Sequence, residues 1–183
     1  MKLSRRSRVN EAQTERKSET PHVVSCNFSG MNVTIASRQH VRKINRPLLK
    51  QITTALLADL KIEKADLGIH LVAAPEMARL NETFLRHAGP TDVITFDYSN
   101  PRPQTPDPRR QLHGEIFVCV DEAVLQARKF GTSWQSEVVR YIVHGVLHLL
   151  DFDDASANAR RKMKREEDCR LRAIACRFPL SKL

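Results

Sequence analysis

The sequence predicts an α/β (α+β) domain of about four strands and about five helices, in the order β-α-β-α-β-β-α-α-α. Three observations carry this expectation. Short β-branched segments with period-2 alternation occur between longer segments whose apolar residues recur every three or four positions. Prolines stand where helices like to begin. A chain of 183 residues is long enough to bury one real core.

Each element has its own signal. Residues 1–22 set Arg5, Arg6, Arg8, Arg16 and Lys17 among Ser, Thr and Glu, which reads as a disordered basic tail ahead of a single domain over 23–183. Met31 stands near the start of the folded part, and 31–37 alternates as a strand. Pro47 opens a helix with the stripe Leu48, Leu49, Ile52, Ala55, Leu56 and Leu60. Residues 66–73 form a second strand, with His70 as a face residue. Pro75 opens a second helix through Phe84, ended by His87-Ala-Gly-Pro90. Residues 91–97 are a third strand, 99–112 a proline- and arginine-rich loop or flap, and 113–120 a fourth strand. Ala123–Phe130 is a helix stopped by Gly131. Thr132 or Ser133 caps the next helix, Trp134–Leu150. Asp151 follows where a left-handed residue is often needed, which Asp tolerates less well than Gly. Residues 155–177 form a last, very basic helix, whose charged face is either a solvated surface or a contact for RNA or the ribosome.

Composition narrows the partners. Thirty Lys and Arg against 21 acids give +9, which favours an anionic partner, nucleic acid first. With seven Phe, two Tyr and one Trp, base-stacking platforms are not expected, and phosphate contacts are the expected source of affinity. Cys26, Cys119, Cys169 and Cys176 form no CxxC or zinc-ribbon spacing and read as reduced thiols in a cytosolic protein, with Cys169 and Cys176 read as packing residues. No apolar run approaches the length of a membrane span, and no apolar h-region follows the basic N-terminus. The Asn-x-Ser/Thr triplets at Asn27, Asn32 and Asn81 are then chance matches.

The chemistry concentrates in His144-Gly-Val-Leu-His148-Leu-Leu-Asp151-Phe-Asp153-Asp154. Residues i and i+4 share a helix face, so both imidazoles can reach one metal ion, and a chain that turns back can bring a carboxylate as third ligand. His, His and Asp with an open fourth position is the composition of a catalytic zinc site. The competing reading is a pair of satisfied core histidines, but each buried imidazole then needs a polar partner. Zincin proteases carry Glu after the first His as general base; Gly145 stands there instead, and a helical Gly needs a packing or access reason.

This segment resembles the HGxLHLxGxDH signature of the YbeY family of rRNA-maturation endoribonucleases. Leu80-Asn81 leading to Pro90-Thr91-Asp92-Val93-Ile94-Thr95-Phe96 is similar to the family's LN…PTDVLSF stretch, and Gly114-Glu115-Ile116 to its GDI strand. The resemblance covers residues 31–175. It implies a zinc-dependent RNase acting on single-stranded RNA, in 16S rRNA 3′-end processing and ribosome quality control. It implies cytoplasmic location, the ribosome or small subunit as partner, and no membrane. The implied fold is a mixed sheet surrounded by helices, with the zinc helix beside a cleft lined by the Thr-Asp-Val strand. Oligomeric state is left open.

The implied site has one zinc ion held by His144, His148 and Asp154. The family's third ligand is His, and the matching residue here is Asp154; Asp153 is the rival ligand, otherwise a capping or supporting residue. An alternative has both acids merely capping the last helix. The family Arg directly follows the aromatic, whereas Leu85 intervenes here, so Arg86 either binds the scissile phosphate from a shifted position or is a solvated helix-end Arg with that role lost. His144 and Arg86 are the candidate catalytic residues. Asp92 is either a support for a ligand histidine through a hydrogen bond or a turn residue opening the strand. Glu115 reads as a strand Glu facing solvent or an Arg. Two rival functions remain at this point: a zincin-like metallopeptidase, and a non-catalytic ribosome-binding factor whose metal site has decayed at position 154.

Overall fold

The computed structural model describes residues 30–99 and 111–183. The basic tail of 1–22, and most of the loop or flap expected over 99–112, lie outside the described residues. Four strands, β1 (Met31–Ser37), β2 (Lys64–Val72), β3 (Val93–Asp97) and β4 (Gln111–Cys119), form one sheet in the order β1-β2-β4-β3. β1, β2 and β4 run parallel and β3 pairs antiparallel to β4, so the sheet is mixed as expected. The helices are α1 (Arg46–Asp59), α2 (Ala74–Leu80), α3 (Val120–Phe130), α4 (Trp134–Leu149) and α5 (Ala157–Arg177).

Alternation along the strands divides the sheet into two faces. Val33, Leu67, Ile69, Leu112, Ile116 and Val118 point into the main core, against Leu49, Ile52 and Leu56 of α1, Val139, Ile142 and Val146 of α4, and Met163 and Ile174 of α5. Val72, Ile94, Phe96, Phe117 and Cys119 form a smaller cluster with Met77 of α2. α4 is buried along most of its length because sheet, α3 and α5 all contact it.

Several boundaries differ from the expectation for physical reasons. α2 does not continue as an α-helix to Phe84; residues Asn81–Leu85 take a π-helical turn ending at Arg86 in the left-handed conformation (φ 54°). That one-residue widening lets Phe84 meet Phe96 edge-on, ring centroids 5.0 Å apart. α3 starts at Val120 with no linker after β4, so the β-branched run crosses from strand to helix unmarked. Ser156, not Asp153 or Asp154, caps α5, accepting from the Ala159 N–H. Cys169 and Cys176 are exposed free thiols rather than packing residues.

Gly145 explains how close α4 lies to the sheet. A Cβ there would stand 2.8 Å from Ile116 Cγ2 and 3.1 Å from Thr95 Cγ2. Ile116 is fully buried, so it has little room to yield. Gly145→Ala gains about 1 kcal/mol of helix propensity but overpacks at a cost of about 1–3 kcal/mol. The expected result is net destabilisation of about 1 kcal/mol in chemical denaturation, with weakened metal binding because α4 carries both histidines.

Candidate metal centre

α4 starts where Ser133 accepts from the Ser136 N–H, one residue before Trp134. It ends in a Schellman motif: the Asp151 N–H donates to the His148 carbonyl (3.1 Å) and the Phe152 N–H to the Leu147 carbonyl (3.0 Å). This requires a left-handed residue, and Asp151 takes it with φ 69°. The turn folds the chain back over the last helical turn. It presents the Phe152 carbonyl to His148 and brings Asp154 to both histidines.

Ligand-type atoms of His144, His148 and Asp154 all lie within 4.8 Å of one another. His148 is 3% exposed and Asp154 8%, while His144 is half-buried. The hydrogen bonds fix the tautomers. His148 Nδ1 lies 3.1 Å from the Phe152 carbonyl oxygen, which can only accept, so Nδ1 carries the proton. His144 Nδ1 lies 3.1 Å from Glu167 Oε2. Burial pushes the Glu167 carboxyl up, but hydrogen bonds and charge from His144 and Arg140 outweigh it and hold the group below its ordinary range. Glu167 is therefore an ionised acceptor, and His144 Nδ1 also carries the proton.

The two Nε2 atoms are left with lone pairs, and they face each other at 3.0 Å. Two lone pairs at that distance repel unless a cation, proton or metal, lies against both. A carboxylate oxygen of Asp154 lies within 4.8 Å of a ring nitrogen of each histidine, a third acceptor beside the pair. Two imidazole nitrogens whose outer ring nitrogens are held by Glu167 and the Phe152 carbonyl, with a buried carboxylate beside them, are the donor set of a divalent ion with an open coordination position.

The sequence reading missed Glu167 and its support. Glu167 is 8% exposed and accepts from Arg140 Nη1 at 2.5 Å; Arg140 also reaches Asp168 at 2.7 Å and approaches Glu137 at 3.6 Å. The network locks the His144 ring from the far side. Its only sequence signal is the acidic triplet Glu166-Glu167-Asp168 inside a helix otherwise dominated by Arg and Lys. Glu167→Gln keeps a hydrogen-bond acceptor but removes the charge. Metal affinity is expected to fall about 10–100-fold, read by competition with a chromophoric chelator, with little change in circular dichroism.

The other expected site residues are placed as follows. Asp153 is exposed and accepts from the Ala155 N–H at 3.0 Å, outside the His-His-Asp cluster. Asp92 accepts from the Thr91 hydroxyl and the Val93 N–H, both at 3.0 Å, which is the bonding of a turn residue opening β3. Arg86 is exposed at the end of the π-helical turn and is not brought into contact with the histidines among the described residues. Glu115 lies on the other face of the sheet, accepting from Tyr98 Oη at 2.8 Å with His70 Nε2 at 3.2 Å. The bond to His70, aided by Tyr98, lowers its carboxyl pKa against the effect of burial.

A mixed α/β domain carrying a helical His-x-x-x-His pair closed by a downstream carboxylate defines a candidate metalloprotein with an open site. The chain belongs to the endoribonuclease YbeY family, whose model matches residues 32–175. It is similar to the endoribonuclease YbeY of Acidothermus cellulolyticus, 36% identical over 140 residues, covering 73% of this chain and 85% of the relative. It is also similar to that of Salinibacter ruber, 36% identical over 109 residues, covering 59% of this chain and 69% of the relative. A solution structure from Thermotoga maritima shares the fold with TM-score 0.53 and 23% identity, covering 79% of this chain and 88% of that one.

Proposed function

We propose that this chain is a zinc-dependent endoribonuclease that cuts single-stranded RNA in late 16S rRNA 3′-end maturation and ribosome quality control. The activity follows from family membership. The observation that carries metal dependence is the convergence of two Nε2 lone pairs and the Asp154 carboxylate. Donors about 2.0–2.1 Å from zinc stand about 3.3 Å apart in a tetrahedron. The 3.0 Å between the two Nε2 atoms is within a few tenths of an ångström of that spacing. His144, His148 and Asp154 would hold one ion per chain, with Asp154 replacing the family's third His.

When bound, zinc supplies Lewis acidity toward a phosphoryl oxygen and a nucleophile competent at neutral pH. The chain's own groups do the rest. Glu167 keeps His144 in the Nδ1–H tautomer, and the Phe152 carbonyl does the same for His148. Gly145 occupies the position of the zincin general base, so no helix carboxylate acts there. Arg86 binds the scissile phosphate, a role that needs RNA to draw its exposed side chain toward the centre. Asp92 holds the opening of β3, and Asp153 the turn before α5. The charge of +9 suits an RNA substrate and the ribosomal small subunit as partner, in the cytoplasm. No helix among the described residues is long and apolar enough to cross a membrane.

Incubating the full chain with single-stranded RNA and with casein, each with and without chelator, tests this reading. RNA cleavage that stops on chelation and returns with zinc is the expected result. Casein cleavage would favour the metallopeptidase. No turnover of either substrate, with no metal bound, would favour a ribosome-binding factor.

A further inference from the structure

We infer that the groove between the C-terminal end of α1 and α5 binds the phosphate backbone of single-stranded RNA as it runs away from the metal centre. This rests on the RNase reading above. The groove holds about 750 Å³, and its lining includes Asp59, Lys61, Phe152, Lys162, Arg165 and Glu166. Its two acids are already neutralised from within the protein. Asp59 is paired with Arg177, and Glu166 with Arg170. Lys61, Lys162 and Arg165 are exposed and ion-paired with nothing among the described residues. Three positive charges therefore surround a concave surface with no internal anion left to meet them.

Two further observations point the same way. Lys61 occupies the position after the α1 C-cap with φ 56°, in a second Schellman motif: its N–H donates to the Ala58 carbonyl and that of Ile62 to the Leu57 carbonyl. Glycine is the usual occupant of such a position, and an L-residue there is strained. The chain keeps a Lys at a backbone position that favours no side chain, and that side chain edges the groove. Phe152 connects the groove to the metal centre. Its carbonyl accepts from His148 Nδ1, while its ring lines the groove with the Lys162 ammonium 5.6 Å from the centroid. A strand lying in the groove is thus one residue removed from a metal ligand. Three cations from two separate segments along one groove suit a chain carrying several phosphates better than a single small anion.

The test is fluorescence anisotropy of the full chain with a labelled single-stranded oligouridine, in chelator so that nothing is cut. Lys162→Glu combined with Arg165→Glu is compared with Arg128→Glu combined with Lys129→Glu, an equal charge change on the exposed end of α3. Each lost phosphate contact removes about 0.7 from the salt slope, so the groove variant should bind about tenfold more weakly with a flatter salt dependence. The α3 variant should bind within about twofold of wild type. Lys61→Gly should hold or raise the melting temperature while weakening binding, which a purely structural Lys61 would not do. Equal losses in both double variants, or wild-type affinity in the groove variant, would overturn the inference. The readout does not depend on cleavage. A chain that binds through the groove yet never cuts RNA with zinc present would overturn the RNase reading and leave the groove standing.

Discussion

His148→Ala is expected to release the metal and abolish RNA cleavage, with far-UV circular dichroism close to wild type. His148 is almost fully buried, its Nε2 lies 3.0 Å from that of His144, and Asp154 lies beside the pair. Truncation leaves two donors, too few for a zinc site with three protein ligands. It also strips the Phe152 carbonyl of its donor, which costs about 1–3 kcal/mol for a buried group left unsatisfied. The melting temperature therefore falls by a few degrees, but the core around Val146 and Leu147 remains. His144→Ala is expected to have the same effect on metal and activity, and leaves Glu167 held by Arg140 alone. Metal analysis and a cleavage assay on each variant check this. A variant with full activity would remove the histidine pair from the chemistry.

The second large effect is at Asp154. Asp154→Ala is expected to weaken zinc binding strongly, because the buried carboxylate is the third member of the cluster. Asp154→His supplies a neutral nitrogen donor that zinc accepts at about 2.0–2.1 Å. It also recreates the family pattern, so affinity is restored or tightened. Asp153→Ala is the comparison. Asp153 is exposed and, among the described residues, holds only the Ala155 N–H, so its loss should cost little metal affinity. Competition titration on the three variants gives the ranking. Metal loss from Asp153→Ala with retention in Asp154→Ala would mean that the other carboxylate is the ligand.

What was legible in the sequence is what depends on local rules. A cap at Thr132 or Ser133, which the structure resolves to Ser133, the shared face of His144 and His148, and the left-handed Asp151 all follow from one helix and its end. The strands were legible because half of each faces a core, and alternation records that directly. The π-helical turn at Asn81–Leu85 was not, since one extra residue in a short helix leaves the apolar pattern almost unchanged. Glu167 was hidden for a different reason. It lies 23 residues from His144, and which of three adjacent acids faces that ring is decided by how α5 packs on α4. Gly145 could be read as a helix anomaly, but its cause needs the position of Ile116 on another element. The same holds for the groove: Lys61 and Arg165 belong to distant segments, and only the closure of α1 against α5 makes them neighbours.

The central claim is that two Nε2 lone pairs and a buried carboxylate form a zinc site in this chain. Mass-spectrometric metal analysis of the full chain, purified without chelator and without added metal, tests it most directly. About one zinc per chain is expected in wild type and none in His148→Ala. Metal-free wild-type protein that also fails to take up zinc on titration would contradict it.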